Sequence, residues 1–179
     1  MRLLTVKNVI DRVLILIDEV GEEADYKDSI INAINIVQNN IIEFAKKDIE
    51  FNNTKAVKGL IMLPRDLYEL IKIEDSDGNA VEFRQYDRNR VKVNQDGNYR
   101  IVYYKYLDEV PNEEGYELKI EKVAEECLLY GVASTVSVDT PDLYAVLTNK
   151  YNELLMNLNN MVAIADNNSK MIRIDGWWY

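Results

Sequence analysis

Apolar residues recur at helical spacing in the first part of the chain. Between Thr5 and Val20, and again from about Asp25 to Lys47, they return every three or four positions, which is typical of helices that bury one stripe. Thr5 is the predicted N-cap of the first helix and Gly21 its predicted end. We therefore expect the chain to open with two antiparallel helices joined by a short loop.

The middle of the chain changes to short segments rich in Val, Ile and Tyr that alternate between apolar and polar positions. Alternation of this kind is typical of strands with one buried face. The predicted strands cover residues 67–74, 80–86, 90–94 and 99–106. The turns at 75–79 and 95–98 contain Gly and Asn, which accept positive φ cheaply and suit tight hairpins. These features predict an antiparallel β-meander.

Helical spacing returns after a surface connection that contains Pro111. The segment from Leu118 to Val138 predicts a helix whose small residues allow close helix contact, and Thr140-Pro141 predicts the start of a last long helix. The expected fold class is α+β, mainly helical, with a four-helix bundle-like core. Residues 1–50 and 108–165 form that core, residues 51–107 the inserted antiparallel β-meander, and residues 166–179 an extended C-terminal tail.

Composition and charge exclude several classes of function. The 31 acidic and 21 basic residues give a net charge of −10, which disfavours binding along nucleic-acid phosphates. The chain has no histidine and therefore lacks the commonest general base and metal ligand. No apolar stretch is long enough to span a bilayer, and no secretory signal opens the chain. We expect no membrane contact and assembly in the cytoplasm.

Three features of the sequence resemble sites of chemistry. Asp75, Asp77 and Asn79 surround Gly78 as in a calcium loop, but Arg84 stands where an EF-hand needs glutamate, so an ordinary turn is expected. Cys127 has no histidine to activate it and is expected to be a small hydrophobic residue. Pairs of carboxylates are too numerous to be informative. We predict a protein that is not an enzyme, with no catalytic residue, cofactor or metal.

Acidic residues are concentrated between Lys105 and Glu126, where eight acids stand against three lysines. The simplest interpretation is a solvated face. The alternative is an acidic lumen or rim that repels DNA phosphates over about a Debye length. The candidate residues for such a surface are Glu113, Glu114, Glu117, Glu121 and Glu125.

The C-terminal segment is apolar and aromatic, unlike the polar ends that most chains have. It contains both tryptophans of the chain, and its apolar residues must be buried against something. Two interpretations remain open: packing on the chain's own core, or docking on another subunit. The candidate docking residues are Met171, Ile172, Arg173, Ile174, Trp177, Trp178 and Tyr179.

The order of these elements resembles a known family. The tracts Leu63-Pro64-Arg65-Asp66-Leu67-Tyr68, Tyr130-Gly131-Val132-Ala133-Ser134 and Asp139-Thr140-Pro141-Asp142-Leu143, within residues 5 to 160, look like those of head-to-tail connector (adaptor) proteins of tailed bacteriophages. The resemblance implies a ring, commonly of twelve subunits, located in the neck of the virion beneath the portal. It also implies a C-terminal segment that docks on the portal protein, a stopper or tail-terminator protein below, and DNA that passes without specific binding.

Three other functions compete with this interpretation. A stopper or tail-completion protein of the same particle would be richer in β-structure. A non-catalytic cytoplasmic binding module would use the aromatic C-terminal tail to engage a protein partner. A hydrolase built on carboxylates alone would require a divalent metal. The last two differ from a connector in the partner or ion that the protein must bind.

Overall fold

The computed structural model describes residues 4–175, with side chains described through residue 161. The chain divides into two compact units. The helical unit contains the described residues up to 45 and from 109 onward, and the sheet unit spans Lys46–Asp108. Helices and antiparallel strands occur in separate units, which confirms the α+β class.

Four α-helices form the helical unit: α1 (Val6–Leu16), α2 (Glu23–Asn40), α3 (Glu125–Val136) and α4 (Pro141–Asp175). Thr5 caps α1 as expected, because its hydroxyl accepts a hydrogen bond from the Asn8 amide at 3.3 Å. The Thr5 amide donates to Asn8 Oδ1 at 3.4 Å, which completes a capping box.

Three of these helices are shorter than the apolar pattern predicts. α1 ends at Leu16 rather than near Val20, since Asp18 and Gly21 adopt positive φ angles of 60° and 102°. α2 ends at Asn40, and a separate 3-10 helix covers Ile42–Phe44. Residues 118–121 are not helical, and a second 3-10 helix, Lys122–Ala124, precedes α3. The apolar spacing continues beyond α2 and before α3 because Ile41, Ile42, Leu118 and Ile120 are also buried in the core. Beyond α1 the pattern is misleading, since Val20 is 72% exposed.

α3 is the central helix of this unit, since α1, α2 and α4 each pack against it. Seven of its twelve residues are buried, including Leu128 and Val132. Gly131 lies where the neighbouring helices approach most closely: a Cβ placed there would stand 2.7 Å from Val37 Cγ1 of α2 and 2.8 Å from Tyr151 Cε2 of α4. The close helix contact expected from the small residues of α3 is confirmed.

α4 is longer than expected. Its backbone remains helical to Asp175, so the prediction of an extended tail beginning at residue 166 is wrong for residues 166–175. Residues 166–169 are polar Asp, Asn and Ser, which disfavour a helix only weakly, so propensity alone does not stop α4 there. Residues 176–179 lie outside the described part of the chain.

The sheet unit contains six strands: β1 (Ile49–Ala56), β2 (Leu60–Met62), β3 (Leu67–Glu74), β4 (Arg84–Asp87), β5 (Arg90–Lys92) and β6 (Gly97–Lys105). They form two three-stranded antiparallel sheets with orders β1-β6-β3 and β2-β5-β4. The prediction of a meander is therefore wrong in its strand order, since only β4 and β5 are neighbours both in sequence and in a sheet. The core of this unit contains Ile61 and Val91 from one sheet and Ile73, Ile101 and Tyr103 from the other.

The strand-order error comes from a turn and from two missed strands. Gln95–Asn98 was expected to close a hairpin, but it carries the chain from β5 in one sheet to β6 in the other. The pattern of β1 does not predict a strand, because seven of its eight residues are exposed or half-buried in no clean alternation, as is common on an edge strand. Of the predicted strand 80–86, only Arg84–Tyr86 lies in β4, while Ala80 forms an isolated bridge to Glu74.

The Glu74 carboxylate of β3 binds two cations, Lys72 of its own strand and Arg100 of β6. Lys72 Nζ lies 2.6 Å from Glu74 Oε1, and Arg100 Nε donates to Oε2 at 2.7 Å. Glu74 and Arg100 are also cross-strand partners in the register. The hydrogen bonds from Lys72 and then Arg100 hold the pKa of Glu74 below its ordinary value of 4.5, because they favour the charged form.

Gly131→Ala tests the close packing of α3. Alanine has the higher helix propensity, but its methyl group would overlap Val37 and Tyr151. We expect the variant to lose about 1–3 kcal/mol of unfolding free energy in urea denaturation. Gly115→Ala is the control, because no atom lies within 4 Å of a Cβ at Gly115. Equal stability of the two variants would contradict the packing argument.

Glu74 also predicts a pH dependence. Its lowered pKa means that the carboxylate stabilises the fold above its ordinary pKa of 4.5, and that this contribution is lost as the pH falls through the lower folded value. Thermal unfolding from pH 7 to pH 3 is expected to show a smaller loss of Tm for Glu74→Gln than for the unmodified chain. Glu69→Gln, at an exposed position of the same strand, should retain the original slope. Parallel curves for all three proteins would refute the argument.

Candidate functional site

The acidic residues predicted to form a lumen or rim lie in the helical unit, on the connection that precedes α3 and at the start of that helix. Glu113, Glu114, Glu117 and Glu121 are exposed, whereas Glu125 is half-buried. Two of the five have cationic neighbours: Lys27 Nζ lies 3.5 Å from Glu114 Oε1, and Arg12 Nη1 lies 3.9 Å from Glu125 Oε2. The acidic stretch is thus partly neutralised by the helices beside it.

The backbone around these residues is fixed to the helical unit. The Val6 amide donates to the Tyr116 carbonyl at 3.0 Å, and the Glu121 amide donates to the Phe44 carbonyl at 2.7 Å. The amide of Val110 donates to Asn35 Oδ1 of α2 at 2.8 Å. The connection therefore holds its glutamates in set positions beside the start of α1 and the end of α2.

Apolar side chains of α1, α3 and α4 line a groove on the helical unit, which we call the α1–α3–α4 groove. It consists of two adjoining cavities of about 450 and 260 Å³ that share Arg12 and Glu126. The larger cavity falls in the size range of pockets that bind small ligands. The apolar lining includes Ile15, Leu16, Val123, Leu129, Leu154, Leu158 and Met161.

The groove combines a buried floor with an exposed apolar wall and a charged rim. Leu158 is 4% exposed and forms part of the floor, whereas Met161 and Val123 are 49% and 47% exposed. Arg12, Lys122, Glu125 and Glu126 supply charges of both signs. Apolar residues this open to solvent at the edge of a cavity are typical of a surface that becomes buried on binding.

Further apolar residues are exposed outside the groove. On α4, Val146 is 66% and Met156 64% exposed, since this helix buries one narrow stripe containing Leu147 and Leu158. In the sheet unit, Phe51 is 61% exposed on edge strand β1, and Tyr106 packs edge-on against Tyr68 at 5.3 Å. Both units thus carry apolar surface that is not covered by the described part of the chain.

The aromatic segment predicted to dock on a partner begins on the last part of α4. The backbone of Met171, Ile172, Arg173 and Ile174 is helical, and their side chains lie outside the described part of the structure. Trp177, Trp178 and Tyr179 lie entirely outside the described residues. The sequence does not predict the α1–α3–α4 groove, because its lining comes from three distant segments that each resemble an ordinary helix.

The turn that resembles a calcium loop uses its carboxylate internally. Asp75 Oδ1 accepts hydrogen bonds from the amides of Asp77 and Asn79, both at 2.9 Å. The bond from the Asn79 amide is the main cause of the lowered pKa of Asp75. Among the side chains of residues 4–161, no cluster of three or more metal-binding residues is present.

Cys127 is buried in α3, at the groove side of the helix. Burial raises the pKa of its thiol to about 11, so that the thiolate is scarce at neutral pH. This agrees with the expectation of a small hydrophobic residue.

Comparisons with known proteins leave the family open: no protein-family model matches the chain, and no curated protein matches it. In the described part of the chain, no helix combines the length and apolar character needed to cross a membrane.

Divalent cations provide a test of the Asp75 turn and of the hydrolase alternative. We expect millimolar Ca²⁺, Mg²⁺ or Mn²⁺ to leave Tm unchanged, because the Asp75 oxygens already accept hydrogen bonds from the turn itself. A cation that bound only the native state would raise Tm with its concentration. Differential scanning calorimetry on the unmodified chain and on Asp75→Asn decides the question. A rise in Tm that disappears in Asp75→Asn would place a metal site at this turn.

Proposed function

We propose that this protein is a structural head-to-tail adaptor subunit of a tailed bacteriophage or a prophage-derived particle. It forms a ring beneath the portal protein, in the neck of the virion, and joins the head to the tail. Its partners are neighbouring copies of itself, the portal above and a stopper or tail-terminator protein below. The family resemblance of the sequence supplies the identity of these partners.

The observation that carries the proposal is the apolar surface of the helical unit. α4 presents Val146 and Met156 to solvent, and the α1–α3–α4 groove presents Val123 and Met161. A subunit that joins neighbours on two sides needs two different contact surfaces, because a ring is built from heterologous interfaces. In this proposal the helices form the bundle-like body of the ring.

The acidity of the chain supports a passage for DNA. A net charge of −10 opposes adhesion of DNA phosphates. In the proposed ring, Glu113, Glu114, Glu117, Glu121 and Glu125 face the channel or its rim. The hydrogen bonds that hold their connection against α1 and α2 would keep these charges in place while DNA passes.

A non-catalytic cytoplasmic binding module is the second candidate function. The same groove and the aromatic residues Trp177, Trp178 and Tyr179 would then serve contacts with a host protein. The two candidates predict different partners in the cell, which can be identified directly.

Affinity purification during particle assembly tests the proposal. A tagged chain is expected to co-purify with a portal-like protein, and negative-stain images of the eluate should show rings or phage particles. Recovery of a monomer together with host proteins alone would favour the binding module.

A variant lacking residues 166–179 should remain folded, because the described buried residues of α4, Leu147 and Leu158, precede the deletion. If this variant still assembles with the portal, the C-terminal segment has no part in that contact.

A further inference from the structure

Both tryptophans of the chain follow the end of α4, and neither can reach the α1–α3–α4 groove of its own subunit. α4 continues for 14 residues beyond Met161, the described groove residue closest to the end of the helix, since α4 ends at Asp175. At a rise of about 1.5 Å per residue, this separates Asp175 from Met161 by about 21 Å along the helix. The four residues that follow span at most about 14 Å when fully extended. The groove and the tryptophans of one chain are therefore too far apart to meet while α4 remains helical.

The groove and the segment are nevertheless complementary in chemistry. The groove offers the apolar side chains of Leu154, Leu158 and Met161 beneath a rim that contains Arg12 and Glu126. The segment offers two indole rings preceded by Arg173 and Asp175. Arginine at a rim stacks on indole rings, and charges of both signs on the two sides allow pairing.

We propose that the α1–α3–α4 groove of one subunit binds the segment around Trp177 and Trp178 of a second copy of this chain. The contact assigns the partner of the aromatic segment, which the sequence left open between the chain's own core and another subunit. It also moves that segment from the portal, where the family resemblance placed it, to the neighbouring subunit. This inference rests on the proposed function in one respect: the groove contact and the proposed ring both require that the chain associates with itself.

Tryptophan fluorescence provides a selective measurement, because Trp177 and Trp178 are the two tryptophans of the chain. We expect the emission maximum to shift to shorter wavelength as the protein concentration rises, together with an increase in mass measured by sedimentation velocity. A shift that does not depend on concentration would mean that the tryptophans are buried within their own chain, and would overturn the proposal. Association without any shift would overturn it as well.

Two substitutions on α4 form a matched pair. Met161→Asp places a charge in the wall of the groove, whereas Asn159→Asp places the same charge at an exposed position of α4 that does not line it. We expect Met161→Asp to weaken association about tenfold or more, since burying an unpaired charge at an interface is costly, and Asn159→Asp to change it little. Circular dichroism should show equal helix content in both. Equal association of the two variants would refute the role of the groove.

These results are separable from the test of the adaptor function. If Met161→Asp abolishes self-association but the unmodified chain recovers no portal-like protein, the groove contact stands and the phage assignment fails. If the portal is recovered and both variants still form rings, the adaptor function stands and the groove contact fails.

Discussion

The approach of three helices to α3 determines the arrangement of the helical unit. α3 is buried on most of its circumference, and Gly131 leaves room for Val37 on one side and Tyr151 on the other. A helix buried in this way must satisfy its polar side chains locally. Ser134 Oγ and Thr135 Oγ1 both donate to the Gly131 carbonyl, at 2.9 and 2.8 Å. The same small residues thus permit close packing and avoid unsatisfied hydroxyl groups.

The central position of α3 leaves α4 at the outside of the helical unit, with one side packed on α3. Over residues 141–161, whose side chains are described, α4 buries only one narrow stripe. Tertiary packing normally supplies most of the stability of a helix, so a helical segment with so little buried surface is typical of a part that is completed by association. In the sheet unit, the first and last strands, β1 and β6, are paired neighbours and bring the two ends of that unit together.

Sequence patterns identified the helices, several strands and the cap of α1, because these depend on residues close in the chain. The N-cap at Thr5 and the start of α4 at Pro141 follow from local hydrogen bonding and fixed φ. The order of the strands was not predictable in this way. Asp96 and Gly97 favour a turn whether it closes a hairpin or crosses between sheets, and only the packing of Ile61 and Val91 against the other sheet decides between them. The groove escaped prediction for the same reason, since Arg12, Val123 and Leu158 meet only in the folded chain.

The separation between the groove and the tryptophans determines what kind of assembly their contact would build. Because the groove and the segment are different surfaces, the contact is heterologous, and each subunit that offers its segment to one neighbour still has its own groove free for another. Repeated in one direction, such a contact continues until a ring closes or a filament grows, whereas reciprocal exchange of segments between two subunits would close a dimer. Two subunits that exchanged segments reciprocally would have to bring two helices of about 50 Å past each other in antiparallel fashion. The length of α4 therefore favours a contact between the aromatic segment and a different subunit. A closed series of such contacts is the ring that the proposed adaptor function requires.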